Sequence, residues 1–201
     1  MIEAARETAG GDIAIYVGLD EDDADFYERL PDVRYVVGPR KQLAPWTNYL
    51  ALLALADGAD ILASFGDDHR PRTQGWDTAV EDAMGTIRSG LVYTADGLQD
   101  ERLPTAPFWS ADIIRKLGWF FPPALKHLYA DNYWLKLATD IGRSKYLPDV
   151  LIEHLHPSAG KAQEDDVNRA NDSHYEHDRQ AYAAFIADEH PGIVDRVRSI
   201  L

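Results

Sequence analysis

The sequence contains no cysteine. Disulfides and thiolate metal centres are therefore excluded, and a reducing, cytoplasmic setting is the expectation. Positive charge is scarce as well: 20 Lys and Arg against 34 Asp and Glu leave a formal net charge of −14. Such a surface repels a phosphate backbone and an anionic bilayer alike, which argues against nucleic acid and membrane partners. No apolar run approaches the ~20 residues that span a bilayer. The opening Met1-Ile2-Glu3-Ala4-Ala5-Arg6 leads into no apolar stretch, so it does not read as a signal peptide. Internal repeats and low-complexity linkers are absent from the sequence too.

What remains is a chain of 201 residues, 45% hydrophobic, enough for one domain with a real core. Apolar runs at 13–17, 33–37, 61–65, 91–94 and 150–155 read as strands. Helices are expected at 1–8, 24–30, 46–56, 76–88, 111–117, 131–141, 175–188 and 193–200, with the segment before Pro31 stopped by that proline. The polar stretch 158–172 reads as a loop. Strand–helix alternation predicts an α/β domain with a mostly parallel, mixed central sheet flanked by helices. It divides into residues 1–94, residues 95–160, and a loop with C-terminal helices (161–201). In such sheets ligands sit beyond the carboxyl ends of the strands. Two acidic turns fall there: Asp20-Glu21-Asp22-Asp23 and Gly66-Asp67-Asp68-His69.

The second turn is the stronger signal. Adjacent carboxylates at the end of a buried strand are costly unless a positive group joins them. A hard divalent cation, Mg²⁺ or Mn²⁺, does so and can bridge a diphosphate. The bland alternative is a solvated turn with capping aspartates. His156, in His154-Leu155-His156, stands where an imidazole could complete a metal sphere, and imidazole with carboxylate favours Mn²⁺; an ordinary surface or core histidine is the competing reading. His174 and His177, three residues apart, read as a solvated helix face, with zinc as the minor alternative. Asp131, in Tyr129-Ala130-Asp131-Asn132-Tyr133-Trp134, is either a helix cap or a general base for an acceptor hydroxyl. Arg40, Lys41 and Lys161 could meet phosphates or simply be basic turns. The aromatic residues 108–109 and 119–121 suit either a sugar pocket or the core.

Taken in order over about residues 13–161, these motifs resemble the family 2 glycosyltransferases of the GT-A fold. Gly66-Asp67-Asp68-His69-Arg70-Pro71 followed by Gly75-Trp76-Asp77 is similar to that family's DxD-type turn and its "GWD" helix start. The resemblance implies a hexosyltransferase acting on a nucleotide-sugar, with inversion and a UDP-sugar as the favoured donor. It makes 1–94 the nucleotide-binding half and 95–160 the acceptor half, and it places Asp68 and His156 on the metal, Asp67 towards ribose or metal, Asp20 and Asp22 at the nucleoside, and Lys161 at the diphosphate, where the positive charge of Arg40 could also serve. Asp131 falls where the family has its catalytic base. The acceptor could be a small molecule, a glycan, a lipid or a protein. Two features depart from the pattern. The turn reads Gly-Asp-Asp and not Asp-x-Asp. The family begins with a strand ahead of the first helix, whereas this chain begins at what reads as that helix. A sheet missing that strand would leave backbone groups unpaired, so a homodimer that completes it and an impaired binding module are both expectations. A nucleotidyltransferase or phosphohydrolase with a similar metal–diphosphate site is the remaining alternative.

Overall fold

The structure, a computed structural model, describes residues 1–156 and 175–201. The elements in chain order are α1 (Ile2–Thr8), β1 (Ile15–Asp20), β2 (Val33–Gly38), α2 (Leu43–Ala56), β3 (Ile61–Ala63), β4 (His69–Pro71), α3 (Trp76–Ile87), β5 (Leu91–Ala95), β6 (Pro107–Ser110), α4 (Ala111–Leu117), α5 (Ala130–Asp140), β7 (Ser144–His154), α6 (Tyr175–Asp188) and α7 (His190–Arg198). Of the expected helix at 24–30 only a 3₁₀ turn, Ala24–Phe26, forms. So short a segment cannot repay helix nucleation without an apolar face to bury, and Phe26 and Tyr27 both face solvent. β1 runs on to Asp20, past the expected end at Val17, because Gly18 continues the strand instead of turning it. α2 starts before Trp46, with Pro45 tolerated in its first turn, where a missing N–H costs nothing.

Five strands form one sheet in the order β3-β6-β5-β7-β4, and β1 and β2 form a separate parallel pair. The expectation of a mostly parallel sheet is corrected here. β1–β2 and β5–β7 are parallel, but β3–β6, β5–β6 and β4–β7 are antiparallel. The reversal comes from β4 and β6, two short strands that begin or end in proline and do not announce themselves as strands. β3, β5 and β7 nonetheless point the same way, so their carboxyl ends share one edge of the sheet.

The period of two along the strands divides the core between the faces. Leu62, Leu91, Tyr93 and Trp109 pack with α4, α5, α6 and α7, while Phe108, Val92, Val150 and Ile152 pack with Trp76, Val80 and Met84 of α3. β7 changes partner along its length. Residues 144–147 pair with β5, a bulge then carries the chain past Pro148, and residues 152–154 pair with β4. His154 is thereby set directly opposite His69. No described helix is long and apolar enough to cross a membrane.

Candidate functional site

The common carboxyl edge gathers three side chains from three places. Asp68 comes after β3, His69 opens β4, and His154 ends β7; one ligand atom from each lies within 4.8 Å of the others. Gly66 makes the turn possible, since a Cβ there would stand 2.5 Å from Asp68 Oδ1. Asp68 Oδ2 is 3.1 Å from His154 Nε2, and Asp68 Oδ1 is 3.3 Å from His69 Nδ1. The two imidazoles are stacked with centroids 4.4 Å apart, so each restricts the other's rotation. The Leu155 amide also donates to the Asp68 carbonyl, tying the turn to the end of β7.

Behind His154 stands Asp96, only 1% exposed, just beyond the end of β5. Its Oδ2 is 3.8 Å from His154 Nδ1, within ion-pair range but too long for a hydrogen bond. Asp96 is itself fixed: Oδ1 accepts the amides of Leu98, Gln99 and Asp100, and Oδ2 accepts the Thr105 hydroxyl. An imidazole facing a ligand carboxylate with one nitrogen and a buried carboxylate with the other is the arrangement that orients metal-binding histidines. The rule that picks out Asp67 and Asp68, a carboxylate directly after a buried strand, applies equally to Asp96. A lone aspartate before glycine also reads as a plain turn, so sequence reasoning misses it.

The electrostatics result from this geometry. Burial raises the Asp68 carboxyl, but the imidazoles of His154 and His69 outweigh it and hold the group far below the usual carboxylate range. Burial opposes charge on His154, yet Asp68 and Asp96 prevail and its pKa is pushed up to about 9. Asp96 is likewise held low, against its burial, by His154, by backbone amides and by Thr105. Asp131 behaves in the opposite way. Burial raises its carboxyl, and neither the Asn132 amide nor the nearby charge of His154 brings it back. His154 acts on Asp131 through its charge, with no hydrogen bond or ion pair joining the two among the described residues.

The cluster can hold a divalent cation. His69 Nε2 is buried without a hydrogen-bond partner, an expensive condition for a structural histidine, and His154 Nδ1 has only the distant Asp96 carboxylate, which leaves Nε2 as its ligand atom. One carboxylate with imidazoles suits Mn²⁺ or a similar ion. Asp68 and His154 are the natural ligands. The Gly66 amide already donates to His69 Nδ1 at 3.0 Å and would have to give way for that nitrogen to bind.

The other expected residues distribute differently. His156 lies outside the group of three, with its ring centroid 5.2 Å from that of His154. Asp67 contributes its carbonyl to the Arg70 guanidinium. Asp20, Asp22 and Asp23 do converge, and Arg40 sits among them at 3.3, 2.9 and 3.1 Å, so its guanidinium is matched by carboxylates and not held open for a phosphate. Asp20 also accepts the Lys41 amide and the Trp46 indole N–H, which anchors the start of α2 to the end of β1. Lys161 and the loop at 158–172 lie outside the described residues, as does His174. The aromatic residues divide: Phe108, Trp109, Phe120 and Phe121 are core. No protein-family model matches the chain, and no curated protein is recognisably similar to it.

Proposed function

We propose that the protein is a metal-dependent glycosyltransferase of GT-A type, working in the cytoplasm on a nucleotide-sugar. The observation that carries this reading is the Asp68–His154 pair at the carboxyl edge of the sheet, 3.1 Å apart; the raised carboxyl of Asp131, which feels the charge of His154, supports it. A divalent ion held by Asp68 and His154 would offset the charge that builds on a leaving diphosphate. Asp131 is more basic than an ordinary aspartate, as a base for a hydroxyl must be. It would take the acceptor's proton while the acceptor oxygen bonds to the anomeric carbon and the bond to the diphosphate oxygen breaks. Asp96 would keep His154 turned towards the ion. A Mn²⁺ ion and a UDP-sugar are the cofactor and donor we favour. The acceptor is a small molecule, glycan, lipid or protein bearing a hydroxyl.

One observation favours a second reading, a nucleotide- or sugar-binding module without turnover. Among the described residues the β1–β2 pair, which carries Asp20 and leads to Asp22, forms a sheet of its own apart from the five-stranded one. Calorimetric titration of UDP and GDP, with and without Mn²⁺, into wild type and Asp68→Ala tests both. Metal-dependent binding that disappears in the variant supports the donor site, and release of free sugar from the donor then separates enzyme from binder. Absence of binding to either nucleotide would remove the transferase reading.

A further inference from the structure

One fully buried carboxylate takes no part in the cluster above. Asp178, in the first turn of α6, is 0% exposed. Its Oδ1 accepts the Lys126 amide at 3.0 Å, and its Oδ2 accepts the His127 and Leu128 amides, each at 2.8 Å. His177 Nδ1 adds a contact at 2.8 Å. A carboxylate taken out of water and satisfied by three consecutive amides fixes that backbone closely. The same loop walls a cavity of about 320 Å³ against the start of α2, lined by Gln42, Pro45, Asn48, Leu125, Lys126 and His177 among others.

This grip bears on the site because the loop leads straight into α5. Tyr129 adopts a left-handed φ of 65°, and the chain then enters the helix with Asp131 in its first turn. Only Tyr129 and Ala130 separate Leu128, whose amide the carboxylate holds, from Asp131. The Tyr129 ring is stacked on Tyr182, with centroids 5.3 Å apart. Tyr182 stands one turn beyond Asp178 on the same face of α6. α6 therefore holds the entry to α5 twice, once by backbone amides and once by a ring.

We propose that Asp178 is a positioning residue for Asp131: by fixing residues 126–128 it sets how α5 begins, and with it the place of the Asp131 carboxyl. The proposal rests on the reading of Asp131 as the base. Among the described residues, the titratable groups that act on Asp131 from the packed elements are His154 on β7 and Tyr182 on α6. Release of the loop moves Asp131 relative to both and admits water.

The test is an NMR titration of the Asp131 carboxyl in wild type and Asp178→Asn, with amide exchange at residues 126–128 and Mn²⁺-dependent UDP binding measured alongside. The side-chain NH₂ of asparagine cannot accept an amide, so part of the grip is lost. In the variant Asp131 should titrate lower, towards an ordinary aspartate. The three amides should exchange at least ~10-fold faster, and UDP binding should stay within about twofold. A purely structural role would lower the melting temperature and leave the Asp131 titration unmoved, and that result overturns the proposal. Asp178→Glu, which keeps the charge but lengthens the reach, gives the same readout if the asparagine variant does not fold. Failure of both variants to fold also overturns it, since Asp178 would then determine the fold at large. Failure of the transferase reading is separate: it shows as wild type without nucleotide binding, whatever Asp131 does.

Discussion

Replacing Asp68 by asparagine removes the charge that sustains the protonated His154. In the metal-free protein His154 is held at about 9 against an ordinary 6.5. One unit is worth about 1.36 kcal/mol, so the whole difference would come to about 3 kcal/mol. The group is part-exposed, and solvent screening brings the expected contribution to about 1–2 kcal/mol. The sign comes from linkage: a folded-state pKa above the unfolded value stabilises fully below the unfolded value and is lost as pH rises through the folded one. Asp68 stays ionised over this range, because its own carboxyl is held low. Urea unfolding without metal should therefore show Asp68→Asn destabilised by about 1–2 kcal/mol near pH 5.5, with the gap narrowing towards pH 9.5. Histidine NMR should show His154 falling by more than about one unit in the variant, with Asp96 alone sustaining what remains. A wild-type His154 that titrates near 6.5 would refute the reasoning. So would a stability gap that does not change with pH, since it would mean that Asp68 acts through packing and not through charge.

The same geometry sets three further outcomes. Asp77 accepts the amides of Gly10 and Gly11 at 2.6 and 2.9 Å, so Asp77→Ala leaves two donors without their acceptor and should cost about 1–3 kcal/mol in denaturant melts. Mn²⁺ must displace the proton of His154, so its affinity should rise with pH up to about 9, by as much as ~10-fold per unit; a pH-independent titration would exclude His154 as a ligand. Asp131→Asn should leave donor binding intact while turnover falls by at least ~100-fold, and equal turnover would reduce Asp131 to a helix cap.

The sequence shows the site's location better than its membership. Strand–helix alternation puts acidic turns at the carboxyl ends of strands, and the structure does bring the ends of β3, β5 and β7 to one edge. Periodicity cannot reveal β4 or β6. His69-Arg70-Pro71 is three residues long and ends in proline, and Pro107-Phe108-Trp109-Ser110 opens with one. Their strand character comes from neighbours across the sheet, which no local pattern records. The choice between His154 and His156 escapes the sequence for the same reason. Both lie on one face of an extended chain, and only the pairing of His69 with His154 decides which imidazole meets Asp68. Arg40 is legible as a basic residue, but its capture by three aspartates depends on how the turns after β1 and β2 approach each other.

An acid-rich chain poses the problem of telling working carboxylates from supporting ones, and the hydrogen bonds answer it. Asp20, Asp77, Asp96 and Asp178 are scattered along the sequence, yet each accepts backbone amides from a distant or sharply turned segment. Such aspartates are satisfied within the fold. At Asp77, Asp96 and Asp178 the amides favour the ionised form, and the charge is spent on fixing loops. Asp68 and Asp131 are not satisfied in this way. Among the described residues the Asp68 carboxylate meets only the two imidazoles, and that of His154 would exchange its proton for a metal ion. Among the described residues the half-buried side chain of Asp131 meets only amides of its own helix turn, too few to offset its desolvation. Rigid support around one carboxylate held by imidazoles and another with a raised carboxyl is what a site needs if it is to bind a cation at one and move a proton at the other. The supporting set also sits where it is needed: Asp96 behind His154, Asp178 against the loop that leads to Asp131. Removal of a supporting aspartate should therefore disturb geometry first and charge second, whereas removal of Asp68 or Asp131 should do the reverse.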